Sequence, residues 1–274
     1  MAIFDLLKRK SRGLSAVVCS DLGCERENNE DNYLLGAYMN SESADKSEAK
    51  IFLRGGDKPC IAAVFDGMGG GESGELASKA AAESLSPAAE GLSPMSDKKE
   101  IDGCIRKAFL EANRRILELR SDGRISGSTG TVLCIFGGEF KIYHLGDSRA
   151  YLLREGRLYQ LSRDHTLARM KLEMGLYEAD DPRIEAEKHQ LTEFLGCDKS
   201  AVGLRPEESE WMPLQRGDRL LLCSDGLYDM CADECIAGIL AGARNVGEAV
   251  AELVDKAKEN GGVDNVTCLA AWLT

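Results

Sequence analysis

The sequence predicts an α+β fold built on antiparallel sheets, and three observations carry that prediction. Strand-like and helix-like segments come in blocks (strands, two helices, many strands, helices, a last strand) and do not alternate as βαβ units. A Gly137-Gly138 pair separates two apolar runs, 129–136 and 140–145, as the turn of an antiparallel hairpin would. No internal repeat and no linker-like change of composition divides the 274 residues, so a single domain is expected.

Residues 14–20 (LSAVVCS) read as the first strand and 32–38 as the second. The stretch 39–50 mixes Ser, Glu, Asp and Lys, which predicts an exposed loop or hairpin tip. The run 60–65 (CIAAVF) is continuously apolar and ends at Asp66-Gly67, as a buried strand would. From Glu72 to Leu85 the chain is good helix material, with small residues at Ala77, Ala80, Ala81 and Ser84 that would let it lie close to a neighbour. Two prolines and a glycine in 86–96 should break that helix. A second helix is expected over about 97–120, where Ile101, Ile105, Ala108, Ala112, Ile116 and Leu119 form one apolar stripe. After the hairpin, 150–154 leads through Glu155-Gly156 to Leu158. Asp164 is the expected cap of a short helix reaching Gly175. Residues 176–200 are polar and helical in tendency, punctuated by Asp181-Pro182, and strand character returns at 219–223. Asn245 caps a helix with Val246, Val250, Leu253, Val254 and Ala257 on one face, and 266–272 reads as the closing strand. Trp211, Trp272 and the pair Met170 and Met174 read as packing residues.

Composition narrows the function classes. At 43% hydrophobic and 29% charged residues the chain is globular in type. Its 46 Asp and Glu against 34 Lys and Arg give a formal charge of -12, which repels phosphate backbones and anionic lipid and argues against a nucleic-acid partner. No apolar run approaches the ~18 residues that span a bilayer, so no membrane insertion is expected. The opening residues carry the charge order of a signal peptide reversed. Ten scattered cysteines without a C-x-x-C pair, and only three histidines, point away from zinc and disulfides and toward a reduced, cytoplasmic setting.

The chemistry-bearing pattern is a set of acids at the ends of expected strands: Glu30-Asp31, Asp66-Gly67, Asp147, Asp225-Gly226 and Asp264-Asn265. Any one of them reads as turn chemistry. If they converge on one rim, two such charges ~5 Å apart repel by ~3 kcal/mol at an effective dielectric of ~20, so the cluster calls for cations or protons. Carboxylate oxygens without His or Cys select Mg²⁺ or Mn²⁺. Gly67 would let its backbone carbonyl approach an ion closely. The run Gly69-Gly70-Gly71-Glu72-Ser73-Gly74 satisfies G-x-G-x-x-G, yet no second strand follows the helix and no acid closes one about 20 residues on, since Glu90 lies in the broken segment, which argues against dinucleotide binding.

These residues resemble the motifs of bacterial metal-dependent Ser/Thr protein phosphatases of the protein phosphatase 2C type. The resemblance runs through Ser20-Asp21-Leu22-Gly23 with Arg26 and Asn28-Asn29-Glu30-Asp31-Asn32, then Phe65-Asp66-Gly67-Met68-Gly69-Gly70 with Gly74-Glu75 and Ala77-Ser78. It continues in Ser128-Thr129-Gly130-Thr131, in His144-Leu145-Gly146-Asp147-Ser148-Arg149, in Arg163-Asp164-His165-Thr166, in Gly217-Asp218 with Ser224-Asp225-Gly226, and in Asp264-Asn265-Val266-Thr267. The matches fall in family order over 14–272.

The resemblance implies two antiparallel β-sheets packed as a sandwich flanked by helices (αββα), with a catalytic domain over 14–274, a tail over 1–13 and a flap over 163–200. It implies two Mn²⁺ or Mg²⁺ ions, with Asp66 bridging them, the Gly67 carbonyl on one, Asp225 and Asp264 on the other, and Glu30 acting through water beside Asp31. Asp147 matches the position of a third, weaker ion, and Arg26 the phosphate-binding arginine. Phosphorylated Ser/Thr proteins are the implied substrates, a Ser/Thr kinase the implied counterpart in signalling, and a monomer the implied state. Met68 stands where many eukaryotic relatives have histidine, Glu193 where arginine is usual, and 39–59 exceeds the compact bacterial pattern. His165 could hold a proton but, alone at a helix start, reads as structural. A phosphatase-fold domain that binds phosphoproteins or regulates a partner without catalysis is the alternative, and such domains commonly lack one or more of the acids.

Overall fold

Alternate residues of the central strands face different apolar layers, and this period of two sets the architecture. The structure, a computed structural model, describes residues 13–40, 45–54, 58–69, 72–119, 126–198 and 203–273. Its strands are β1 (Gly13–Asp21), β2 (Asp31–Leu35), β3 (Tyr38–Met39), β4 (Lys46–Arg54), β5 (Cys60–Met68), β6 (Gly127–Ser128), β7 (Gly130–Phe136), β8 (Glu139–Leu145), β9 (Arg149–Arg154), β10 (Arg157–Gln160), β11 (Glu207–Glu208), β12 (Met212–Pro213), β13 (Arg219–Cys223) and β14 (Val266–Leu273). The helices are α1 (Glu72–Gly91), α2 (Lys98–Glu118), α3 (Leu167–Glu173), α4 (Arg183–Glu187), α5 (Asp225–Tyr228), α6 (Asp233–Gly242) and α7 (Val246–Glu259). One sheet runs β10-β9-β13-β14-β1-β4; the other runs β11-β8-β7-β5-β2-β3, with β12 on β8 and β6 on β5.

Three apolar layers follow. Ile61, Ala63 and Phe65 of β5 join Ala77, Ala81, Ile101, Ile105 and Ile116 under α1 and α2. Ala62 and Val64 of the same strand face Val18, Leu220, Leu222 and Leu269 of the opposite sheet. Val266, Cys268 and Ala270 of β14 turn outward to meet Val250, Leu253 and Val254 of α7. The expected αββα sandwich is therefore the observed one; Asn245 caps α7 as predicted, and Asp97, at the expected start of the second helix, caps α2.

Four local expectations are corrected. The described part of 39–50 is not a loop: Lys46–Arg54 pairs along the whole of β1 as an edge strand. Lys46, Glu48 and Lys50 point to solvent while Ala49 and Ile51 pack on the intersheet layer, so a polar sequence hides a half-buried strand. The helix starting at Glu72 continues through Pro87 to Gly91. Proline removes one backbone donor there, but Ala88, Ala89 and Leu92 are buried in the helix layer and hold the turn in place. Thr166, not Asp164, caps α3, accepting from the Arg169 amide; Asp164 instead pairs with the Arg149 guanidinium at 2.6 Å. Trp272 is in the core as expected, whereas Met174 is 64% exposed. The Gly70-Gly71 portion of the glycine run and the Lys8-Arg9-Lys10 tail lie outside the described residues.

Candidate metal centre

The sheet register gathers the predicted acids. Asp31, the first residue of β2, sits opposite Asp66 in β5. Asp66 is not in a turn. Its strand runs on to Met68 because Gly67 pairs with Ser128, while the Asp66 amide donates to Thr129 Oγ1 and its carbonyl accepts from the Thr129 amide, both at 2.8 Å. Asp225 opens α5 directly after β13, Asp147 lies in the β8–β9 link, and Asp264 lies just before β14. All four of Asp31, Asp147, Asp225 and Asp264 are near enough to Asp66 to raise its pKa.

A scaffold of neutral hydrogen bonds fixes them. Ser224 Oγ donates to Asp31 Oδ2 at 2.6 Å and accepts from the Thr267 amide at 2.9 Å. Thr267 Oγ1 in turn donates to Ser20 Oγ, which also accepts from Asn29 Nδ2. Asn265 Oδ1 accepts from the Glu30 amide at 2.8 Å, and its Nδ2 donates to the carbonyls of Leu22 and Asn28. Arg26 pairs with Asp264 at 2.5 Å with its side chain 49% exposed, which sets the guanidinium at the rim of the acids.

Close backbone approach explains two glycines. A Cβ on Gly67 would stand 2.2 Å from the Gly74 carbonyl oxygen and 2.6 Å from that of Glu30; one on Gly74 would stand 2.7 Å from the Glu30 carboxyl. The Gly67 amide uses that space to donate to the Glu30 carbonyl at 3.1 Å. Gly67→Ala should therefore destabilise the protein by at least about 1–3 kcal/mol, because two backbone segments must part. Thermal unfolding checks this.

Electrostatics shows what the cluster lacks. Burial, then the neighbouring carboxylates, pushes the Asp66 carboxyl well up. Burial raises Asp31 to about 7 against the opposing hydrogen bond from Ser224, and raises Asp147 to about 6. Glu30 and Asp264 are raised for the same first reason. Among the described residues, neither Asp31 nor Asp66 makes an ion pair. A buried, oxygen-only donor set with so little cationic compensation fits hard divalent ions.

Two residues escaped the sequence reading. His189, from the segment read only as polar and helical, reaches the acids: its Nδ1 is 3.2 Å from Asp225 Oδ2 and 3.9 Å from Asp147 Oδ2, and its Nε2 is 2.9 Å from Asp229 Oδ2. Asp147, Asp225 and Asp229 together drive its pKa up to about 12. Asp229 had a readable signal, since it follows Asp225 by four residues, about one helical turn. His165 does not face the cluster; its Nδ1 accepts from the Gly146 amide at 3.2 Å and its Nε2 meets Glu207 at 3.1 Å, as a structural residue's would.

The family model "Protein phosphatase 2C" matches residues 21–171. A serine/threonine phosphatase, stp, of Listeria welshimeri is 32% identical over 253 residues, 91% of this chain and 92% of the relative. Among solved structures, a serine/threonine phosphatase of S. agalactiae superposes with a TM-score of 0.79 at 26% identity, covering 95% of this chain and 100% of that one. The catalytic domain of the serine/threonine protein phosphatase PstP, in complex with two manganese ions, superposes with a TM-score of 0.73 at 29% identity, covering 95% and 99%.

Proposed function

The chain belongs to the protein phosphatase 2C family, and from that premise we propose that it hydrolyses phosphoserine and phosphothreonine in proteins at a dinuclear Mn²⁺ or Mg²⁺ centre. The observation that carries this reading is the buried carboxylate cluster around Asp66, whose mutual repulsion asks for divalent cations. Bound there, two divalent ions supply charge stabilisation and a water acidified for in-line attack at phosphorus.

The chain's own residues divide the remaining work. Asp66 and the Gly67 carbonyl, with Asp225 and Asp264, would hold the two ions, Asp66 being the residue shared between them. Glu30 and Asp31 belong to the same cluster, the first anchored through its backbone amide by Asn265 and the second through its carboxyl by Ser224. Asp147 would hold a third, weaker ion. Arg26, kept beside the acids by Asp264, presents a planar fork to two phosphate oxygens. No cysteine or serine nucleophile is needed.

Removing a charged hydrogen-bond partner costs about 1.5–3 kcal/mol, so Arg26→Ala should lower kcat/KM for a phosphothreonine peptide by roughly 10–100-fold. The deciding assay is hydrolysis of that peptide with Mn²⁺, with and without chelator. Activity that survives chelation defeats the proposal. Failure to bind Mn²⁺ at all supports the non-catalytic alternative, against which the retention of every expected acid stands. Among the described residues no helix is long and apolar enough to cross a membrane. The reading extends to a monomer of the bacterial cytoplasm that reverses a Ser/Thr kinase in signalling, with phosphorylated proteins as partners.

A further inference from the structure

Beside the proposed pair of ions, and sharing Asp225 with it, one group of side chains has the form of a mixed nitrogen and oxygen ligand set. One carboxylate oxygen each from Asp147 and Asp225 and one ring nitrogen of His189 all lie within 4.8 Å of one another. The Asp147 side chain is only 5% exposed, and its nearest cationic atom, His189 Nδ1, is 3.9 Å away, beyond hydrogen-bond reach. Separations of 3.2 and 3.9 Å from Nδ1 to the two carboxylate oxygens can be bridged by an ion lying about 2.0–2.2 Å from each.

The other ring nitrogen supplies an independent indication. Histidines that ligate a metal through one nitrogen almost always donate the other N–H to a carboxylate, which fixes the tautomer and ring orientation. His189 Nε2 is 2.9 Å from Asp229 Oδ2. Asp229 is itself held, by Lys188 Nζ at 3.3 Å and through its own amide to the Asp225 carbonyl at 2.9 Å. The chain around His189 is clasped as well. Thr166 pairs with Leu191, the Leu167 amide donates to the Gln190 carbonyl, and the Thr192 amide donates to the His165 carbonyl. The imidazole thus comes from a turn tied to the start of its own segment.

We propose that His189 is a metal ligand through Nδ1, joining Asp147 and Asp225 in a cation site whose third arm comes from the 163–198 segment, with Asp229 as its orienting partner. This rests on the reading of Asp147 and Asp225 as ligands and adds to it a nitrogen donor. Two consequences follow. A nitrogen ligand shifts preference from Mg²⁺ toward Mn²⁺ and Zn²⁺. An ion held there also joins the segment carrying His189 to the β8–β9 link and to the start of α5.

Three histidines make the test direct: His144, His165 and His189. The full chain, labelled with ¹⁵N-histidine, is titrated with Zn²⁺ as a diamagnetic probe and followed by long-range ¹H–¹⁵N spectra, with His189→Gln assigning the resonances. The expected result is a ligation shift of His189 Nδ1 while Nε2 stays an N–H nitrogen and the other two rings hardly move. In parallel, Mn²⁺ and Mg²⁺ are titrated calorimetrically. His189→Gln should weaken the weakest Mn²⁺ step at least about tenfold and the Mg²⁺ step much less, and Asp229→Asn should weaken the same Mn²⁺ step by about 10–100-fold. Unmoved His189 resonances at saturating Zn²⁺, or an unchanged weak Mn²⁺ step in His189→Gln, overturns the inference. If His189 Nδ1 shifts although no pair of tighter steps exists, the dinuclear reading fails and this one stands.

Discussion

Asp66→Asn is expected to lower turnover on a phosphothreonine peptide by about 10³-fold or more while raising the melting temperature of the chelated protein. Both effects follow from one carboxylate. In the proposed centre it holds both ions, whose electrostatic help to a phosphoryl transition state amounts to several kcal/mol, and a neutral amide bridges them poorly. In the metal-free protein the same group is buried among Asp31, Asp147, Asp225 and Asp264, and burial plus their charges hold its pKa well up, so it must either keep a proton or stand as an unfavourable anion. Removing the charge relieves the repulsion. A variant that loses activity and also melts lower without metal would show Asp66 to be a folding residue instead.

The second large effect is a metal-dependent stability that grows with pH. Asp31, raised to about 7, and Asp147, raised to about 6, bind protons more tightly folded than unfolded. Groups raised in this way contribute stability that is complete below about pH 4 and lost as pH climbs through about 6 to 7. His189, raised to about 12, acts in the same direction, because above about pH 6.5 only the folded state keeps its proton. The chelated protein should therefore melt lower at pH ~8 than at pH ~5.5. Saturating Mn²⁺ replaces the protons and should restore the loss. At 100 times Kd a ligand adds about 2.7 kcal/mol, roughly 5–10 °C for a chain of this size. Scanning calorimetry with chelator or Mn²⁺ at the two pH values checks it. A metal-induced shift that is no larger at pH ~8 would contradict the assignment of the raised pKa values to the metal-binding carboxylates.

What the sequence could reveal was what depends on near neighbours. The apolar runs at 60–65 and 266–272 and the stripe from Ile101 to Ile116 are local, and they mark the buried strands and the buried helix face. The acids were legible as Asp residues beside Gly or Asn, because backbone crowding at the site demands those small or turn-forming neighbours. What was missed is non-local. The strand carrying Asp66 continues only because Ser128, far along the chain, pairs with Gly67. Lys46–Arg54 is a strand only because the edge of β1 accepts it. His189 reaches the acids through a clasp between Thr166 and Leu191, which no periodicity announces.

The most direct measurement is a crystal structure grown with Mn²⁺, with anomalous difference maps recorded at the manganese edge. Two strong peaks sharing the Asp66 carboxylate, one further coordinated by the Gly67 carbonyl and the other by Asp225 and Asp264, are the predicted result. Peaks absent from this cluster, or Asp66, Asp225 and Asp264 turned toward separate regions of solvent, would contradict it.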